Sequence, residues 1–117
     1  MKEQKNNNVE VIDANAVELE TKITFAKPFE FNGQQYESIE LNLDDLTGID
    51  LEEAEVEFTT RNPQIAAQTF LKAMSSAYQA IVAAKAAGVN PQFIRSLPAN
   101  EYAKVTATVQ AFLLKRG

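Results

Sequence analysis

From Val17 to Phe25 apolar and polar residues alternate, the period of a half-buried strand, and the pattern predicts a first strand starting near Val17 with Pro28 near an edge. Asn32-Gly33 follows an aromatic run and precedes a second strand-like run. A two-residue turn of this composition is the strongest short-range hairpin signal, because both central positions need positive φ. The turn sets a register in which Phe31 faces Gln34 and Phe29 faces Tyr36, an aromatic cross-strand pair. On the return strand the apolar parity changes from even at Tyr36 to odd at Ile39, Leu41 and Leu43. This predicts one extra residue near Glu37-Ser38, with Phe25 opposite Leu41 and Ile23 opposite Leu43. Val9, Val11 and Ile12 are candidates for a short third strand.

Beyond Leu43 the period becomes helical. Thr47 with Asp50 three residues later has the form of a capping box and opens a helix from Gly48 to about Glu57. Asp50, Glu52 and Glu53 suit its positive N-terminal end, an account that covers Glu55 and Glu57 less well. Residues 58–63 interrupt, and Pro63 stands at the first turn of a long Ala-rich helix, Gln64 to Ala87, closed by Gly88. Three stripes run along it. Gln64, Gln68, Lys72, Ser75 and Gln79 form a polar one, and Phe70, Leu71, Met74, Tyr78 and Ile81 a bulky one. The third is alanine, with Ala66, Ala73, Ala77, Ala80, Ala84 and Ala87 making a seam smooth enough for close helix approach. That seam can pack against the chain's own last helix or, through Ala73, Ala77, Ala80 and Ala84, against a second copy. Asn90-Pro91 caps a short segment, Gln92 to Ser96, and a final amphipathic helix runs from about Asn100 to Lys115 with Tyr102, Val105, Val109, Phe112 and Leu113 inward. The predicted class is α+β: a small antiparallel hairpin, an acidic helix, a long Ala-rich helix, a short helix and a C-terminal amphipathic helix. Residues 1–16 are expected to form a flexible polar segment, and residues 17–117 a single compact domain.

Composition narrows the chemistry. The 117 residues include no cysteine and no histidine, which removes disulfides, thiol nucleophiles, the usual zinc ligand sets and the commonest general base. Asp44, Asp45 and Asp50 lack the alternating spacing of a calcium loop. Gly33, Gly48, Gly88 and Gly117 are dispersed, so no phosphate loop is present. Ser75, Ser76 and Ser96 have no histidine to activate them, Lys72 sits on a polar stripe, and nothing marks Glu37, Glu40 or Asp44 as a split acid–base pair. No catalytic residue, metal site or cofactor is expected. No apolar stretch resembles a signal peptide or is long enough to span a bilayer, so a cytoplasmic location is expected.

The net charge of −5 is divided unevenly: residues 1–57 carry −11 and residues 58–117 carry +6. The halves can neutralise each other within one fold or attract the opposite half of another copy. The acidic total argues against nucleic-acid binding.

The order of these features resembles the small tail assembly chaperones of long-tailed bacteriophages. The resemblance covers about residues 22 to 114: Pro28-Phe29, the Asn32-Gly33 turn, Tyr36, Leu41, Leu43 and Leu46-Thr47-Gly48-Ile49-Asp50-Leu51. It continues through the Ala-rich helix ending Ala86-Ala87-Gly88 to Leu97-Pro98, Val105, Val109 and Phe112-Leu113, with Asn100 where relatives often carry an acidic residue. It implies a protein that is not an enzyme, binds the tape measure protein in the host cytoplasm, keeps it soluble and helps bring tail tube subunits to it. A ribosomal frameshift often appends a second domain in such families. The bulky stripe Phe70, Leu71, Met74, Tyr78 and Ile81 is the expected contact surface wherever the last helix leaves it open, with no membrane or nucleic-acid partner. The competing expectations are a structural tail adaptor, which would remain in purified virions, and an acidic inhibitor or nucleic-acid mimic, whose binding would depend strongly on salt.

Overall fold

The structure, a computed structural model, describes residues 21–115. The possible third strand at residues 9–12, the start of the first strand near Val17 and the expected flexible segment lie outside them. The class is α+β, as expected. A two-stranded antiparallel sheet, β1 (Lys22–Phe31) and β2 (Gln34–Glu40), leads through a 3₁₀ turn (Leu43–Asp45) into α1 (Gly48–Arg61) and α2 (Pro63–Gln68). A second 3₁₀ turn (Lys72–Met74) precedes α3 (Ser76–Ala87), α4 (Pro91–Arg95) and α5 (Ala99–Leu113).

At the hairpin turn Asn32 and Gly33 take φ of 52° and 81°, the left-handed pair that a tight turn between twisted strands demands. Phe31 pairs with Gln34 and Phe29 with Tyr36. Further down, the expected register is overturned. Ile23 lies opposite Ile39 and Thr24 opposite Ser38, so the extra residues belong to β1, between Thr24 and Phe29, and not to β2. The parity change on β2 is real, since Tyr36 and Ile39 both face the core. Its cause is on the other strand. Pro28 has no N–H to give a ladder, and the Ala26 N–H donates to the Glu101 carboxylate on α5 at 2.7 Å instead of to β2.

Helix ends follow their local signals. Thr47 and Asp50 make the full capping box: the Asp50 N–H donates to Thr47 Oγ1 at 3.3 Å and the Thr47 N–H to Asp50 Oδ2 at 2.8 Å. This second bond holds the Asp50 carboxyl below the usual carboxylate range. Past Glu57, α1 gains another turn, closed by an Arg61–Glu57 ion pair at 2.8 Å. Gly88, at φ 70°, ends α3 in the left-handed conformation, with the Val89 N–H donating to the Ala84 carbonyl. Asn90 caps α4 through Gln92 N–H at 2.7 Å.

The expected long helix from Gln64 to Ala87 is delivered in two pieces, broken across residues 69–75. No glycine or proline falls there, so tertiary contacts decide it. Gln79, 2% exposed, donates its amide to the Ala73 carbonyl at 2.6 Å and to Gln110 Oε1 on α5 at 2.9 Å. The Ala73 carbonyl is therefore satisfied by a side chain rather than by the N–H four residues on, and α2 is free to turn back and pack on α1.

α3 is the central post. α1, α4 and α5 pack around it, and the Asn42 N–H ties the end of the hairpin to the Ala86 carbonyl near its C-terminus. The core joins Phe58, Phe93, Leu41, Leu43, Ile94, Val82, Val105 and Val109 in one cluster drawn from the hairpin connection and the helices. Phe93 is the hub of the sheet contact: its ring centroid lies 5.2 Å from Phe29, 5.2 Å from Phe31 and 4.9 Å from Tyr36, each edge-on.

Candidate functional site

The break between α2 and α3 creates the most exposed apolar surface of the described residues. Phe70 is fully exposed, and Leu71 and Met74 are 51% and 53% exposed. A phenylalanine with no neighbour to cover it in the isolated chain is unusual for a surface without a partner. The Leu71 carbonyl accepts from the Met74 N–H at 3.0 Å and the Lys72 carbonyl from the Ser75 N–H at 2.9 Å. A short 3₁₀ turn thus fixes the segment while its large side chains point away. Lys72 reaches Glu55 of α1 at 3.8 Å, and Val56, Thr59 and Thr60 share a shallow hollow of about 260 Å³ with these two. Exposed Val56 therefore borders the break, with exposed Ile65 on α2 leading into it.

The five residues of the bulky stripe are not brought together. Phe70, Leu71 and Met74 are on the exposed break, whereas Tyr78 and Ile81 lie in the core because α3 is enclosed by its neighbours. Tyr78 stacks edge-on against Phe58 at 5.9 Å, and burial, then the Glu55 charge, pushes its hydroxyl pKa up. Of the alanine seam, Ala80 and Ala84 are buried within the chain, and Ala73 and Ala77 are half-buried. The exposure of Val56 and Ile65 escaped the sequence because it depends on where α2 turns back. A visible trace was that Val56 falls on the α1 face opposite Ala54 and Phe58.

Three carboxylates of α1 are paired within the chain. Glu53 meets Lys85 at 3.0 Å, Glu55 meets Lys72 and Glu57 meets Arg61, so carboxylates of the acidic half pair with cations of the basic half. These exposed pairs contribute little each, on the order of 0–1 kcal/mol, but they absorb most of the charge of α1. Among the described residues, no group of three or more acidic side chains is placed to hold a metal ion. No helix among them is long and apolar enough to cross a membrane.

A second concavity, of about 330 Å³, opens between the C-terminal end of α1, the N-terminal half of α3, α4 and α5, with Arg61 and Arg95 at its edge and Ala77 and Ala80 in its floor. On α5, Glu101 was missed by sequence reasoning: the acidic side chain near the start of that helix is buried, while neighbouring Asn100 is exposed.

No curated protein and no solved structure matches the chain at a significant level. A family model does, over residues 22–114, from the first residue of β1 to the residue after α5, so the whole hairpin-and-helix unit with its exposed break lies inside the match. The chain belongs to the family of phage tail assembly chaperone proteins, E, or 41 or 14.

Proposed function

We propose that the chain binds the tape measure protein in the host cytoplasm before the tail is built, keeps its apolar surface from aggregating and helps bring tail tube subunits to it. Membership of a chaperone family points to a role without catalysis. The observation that carries the contact is the fully exposed Phe70 beside Leu71 and Met74 on the break between α2 and α3. Such a cluster has the form of a binding hot spot, a few large side chains that gain most by leaving water. Burying one of them contributes about 1.5–3 kcal/mol, which by itself is too weak for a stable complex. Many copies along one long helical partner convert such weak contacts into strong retention that can still be shed stepwise as tube subunits replace them. Tyr78 and Ile81 act in this scheme from beneath, by holding α3 in place.

Coexpression of the tape measure protein with tagged Phe70→Asp and Met74→Asp variants tests the site. Each substitution is expected to lower capture roughly ten- to hundredfold, the equivalent of one lost apolar anchor. Because both side chains are exposed, the variants should keep the wild-type circular dichroism spectrum and unfolding midpoint. Undiminished capture by such folded variants rejects the surface.

A further inference from the structure

The groove between α1, α3, α4 and α5 is not used by the contact described above. Ala77 and Ala80, whose side chains stop at Cβ, line it together with Ile81, Pro91 and Tyr102, around a cavity of about 330 Å³. Its rim is cationic. Arg61 and Arg95 both line it, Arg61 already sharing Glu57, Arg95 exposed and without an ion pair among the described residues. A groove of this kind takes an aliphatic side chain flanked by a carboxylate: the apolar group fills the space over the alanines, and a guanidinium receives two carboxylate oxygens at once.

The described surface holds a matching convex face. On α1, Ile49 and Val56 are each 67% exposed and lie two turns apart on the side away from the core, with Glu52 between them. Glu52 is exposed and, unlike Glu53, Glu55 and Glu57, has no cationic partner among the described residues. We propose that the outward face of α1 (Ile49, Glu52, Val56) of one copy docks into the Arg61–Arg95 groove of a second copy, joining copies head to tail. Glu52 stands in the first half of α1 and Arg61 at its C-terminal end, so one molecule can offer its face and fill its groove together. The two surfaces are different, so the contact is heterologous and open-ended, and a row of chaperones can propagate. The pairing of Glu52 with the rim arginines makes the association sensitive to salt.

Sedimentation velocity of the full chain over a concentration series at low salt tests this, with Glu52→Arg and Arg95→Glu as charge reversals on exposed positions. The wild-type chain is expected to form larger species that dissociate as salt rises. Each reversal alone should weaken association at least tenfold, and an equimolar mixture of the two should restore it, because each variant then supplies the partner the other needs. A wild-type chain that stays monomeric, as it would with its groove filled from within the same molecule, overturns the proposal. So does Arg95→Glu associating like wild type, or a mixture that restores nothing. Capture of the tape measure protein through Phe70 and Met74 is measured separately, so either result can fail without the other.

Discussion

Phe93→Ala is expected to lower the stability of the chain by about 3–5 kcal/mol, the usual cost of emptying a fully buried aromatic site. Phe93 is 1% exposed and touches Phe29, Phe31 and Tyr36 edge-on, so the cost includes aromatic pair contributions of about 0.5–1.5 kcal/mol each as well as the cavity. The effect has a direction within the fold. α4 has five residues and a hairpin of two strands is marginal alone, so each depends on the other through this ring. Hydrogen exchange should therefore show β1 and β2 losing protection before α1 and α3, and urea unfolding should show the drop in free energy. A loss under about 1 kcal/mol would mean that the ring cluster does not hold the sheet to the helices.

The second large effect is expected at Glu101. Its Oε2 accepts the Ala26 N–H at 2.7 Å where β1 leaves its ladder, and its Oε1 lies 3.3 Å from Lys104 Nζ. Glu101→Leu leaves that N–H without a partner and should cost about 1–3 kcal/mol, whereas Glu101→Gln keeps an acceptor and should cost less. The Ala26 N–H, then the Lys104 bond and charge, hold the Glu101 carboxyl below its ordinary value of 4.5 against the opposing effect of burial. A depressed native pKa means that the stabilisation is fully present above the unfolded-state value and is lost as pH falls through the native one. The wild-type chain should accordingly lose stability below about pH 4.5 more steeply than Glu101→Gln, whose side chain does not titrate. Equal urea midpoints for the Leu and Gln variants, or parallel acid limbs for wild type and Gln, would show that the Ala26–Glu101 bond does not hold β1 to α5.

Features set by a few neighbouring residues were legible: the Asn32-Gly33 turn, the Thr47-Asp50 box, the Gly88 and Asn90 caps and the inward positions Val105 and Val109 all stand where local rules place them. The parity change on β2 was legible too, but parity alone does not say which strand carries the extra residues. The answer is the bond from Ala26 to Glu101, 75 residues away. The break in the Ala-rich helix has the same character. Residues 64–87 have helical periodicity without a glycine or proline, and only the buried Gln79 amide, reaching Ala73 and Gln110, shows why residues 69–75 depart from it. For the candidate site this difference is decisive. A continuous helix would have spread Phe70, Leu71, Met74, Tyr78 and Ile81 along one face; the broken one buries the last two and presents the first three.

The central claim, that the break between α2 and α3 is the surface that meets the tape measure protein, is tested most directly by hydrogen–deuterium exchange of the chain with and without a copurified tape measure segment. Protection gained over residues 69–75, with little change in α5, is the predicted result. Unchanged exchange there, with protection gained only on the hairpin or α5, would contradict it.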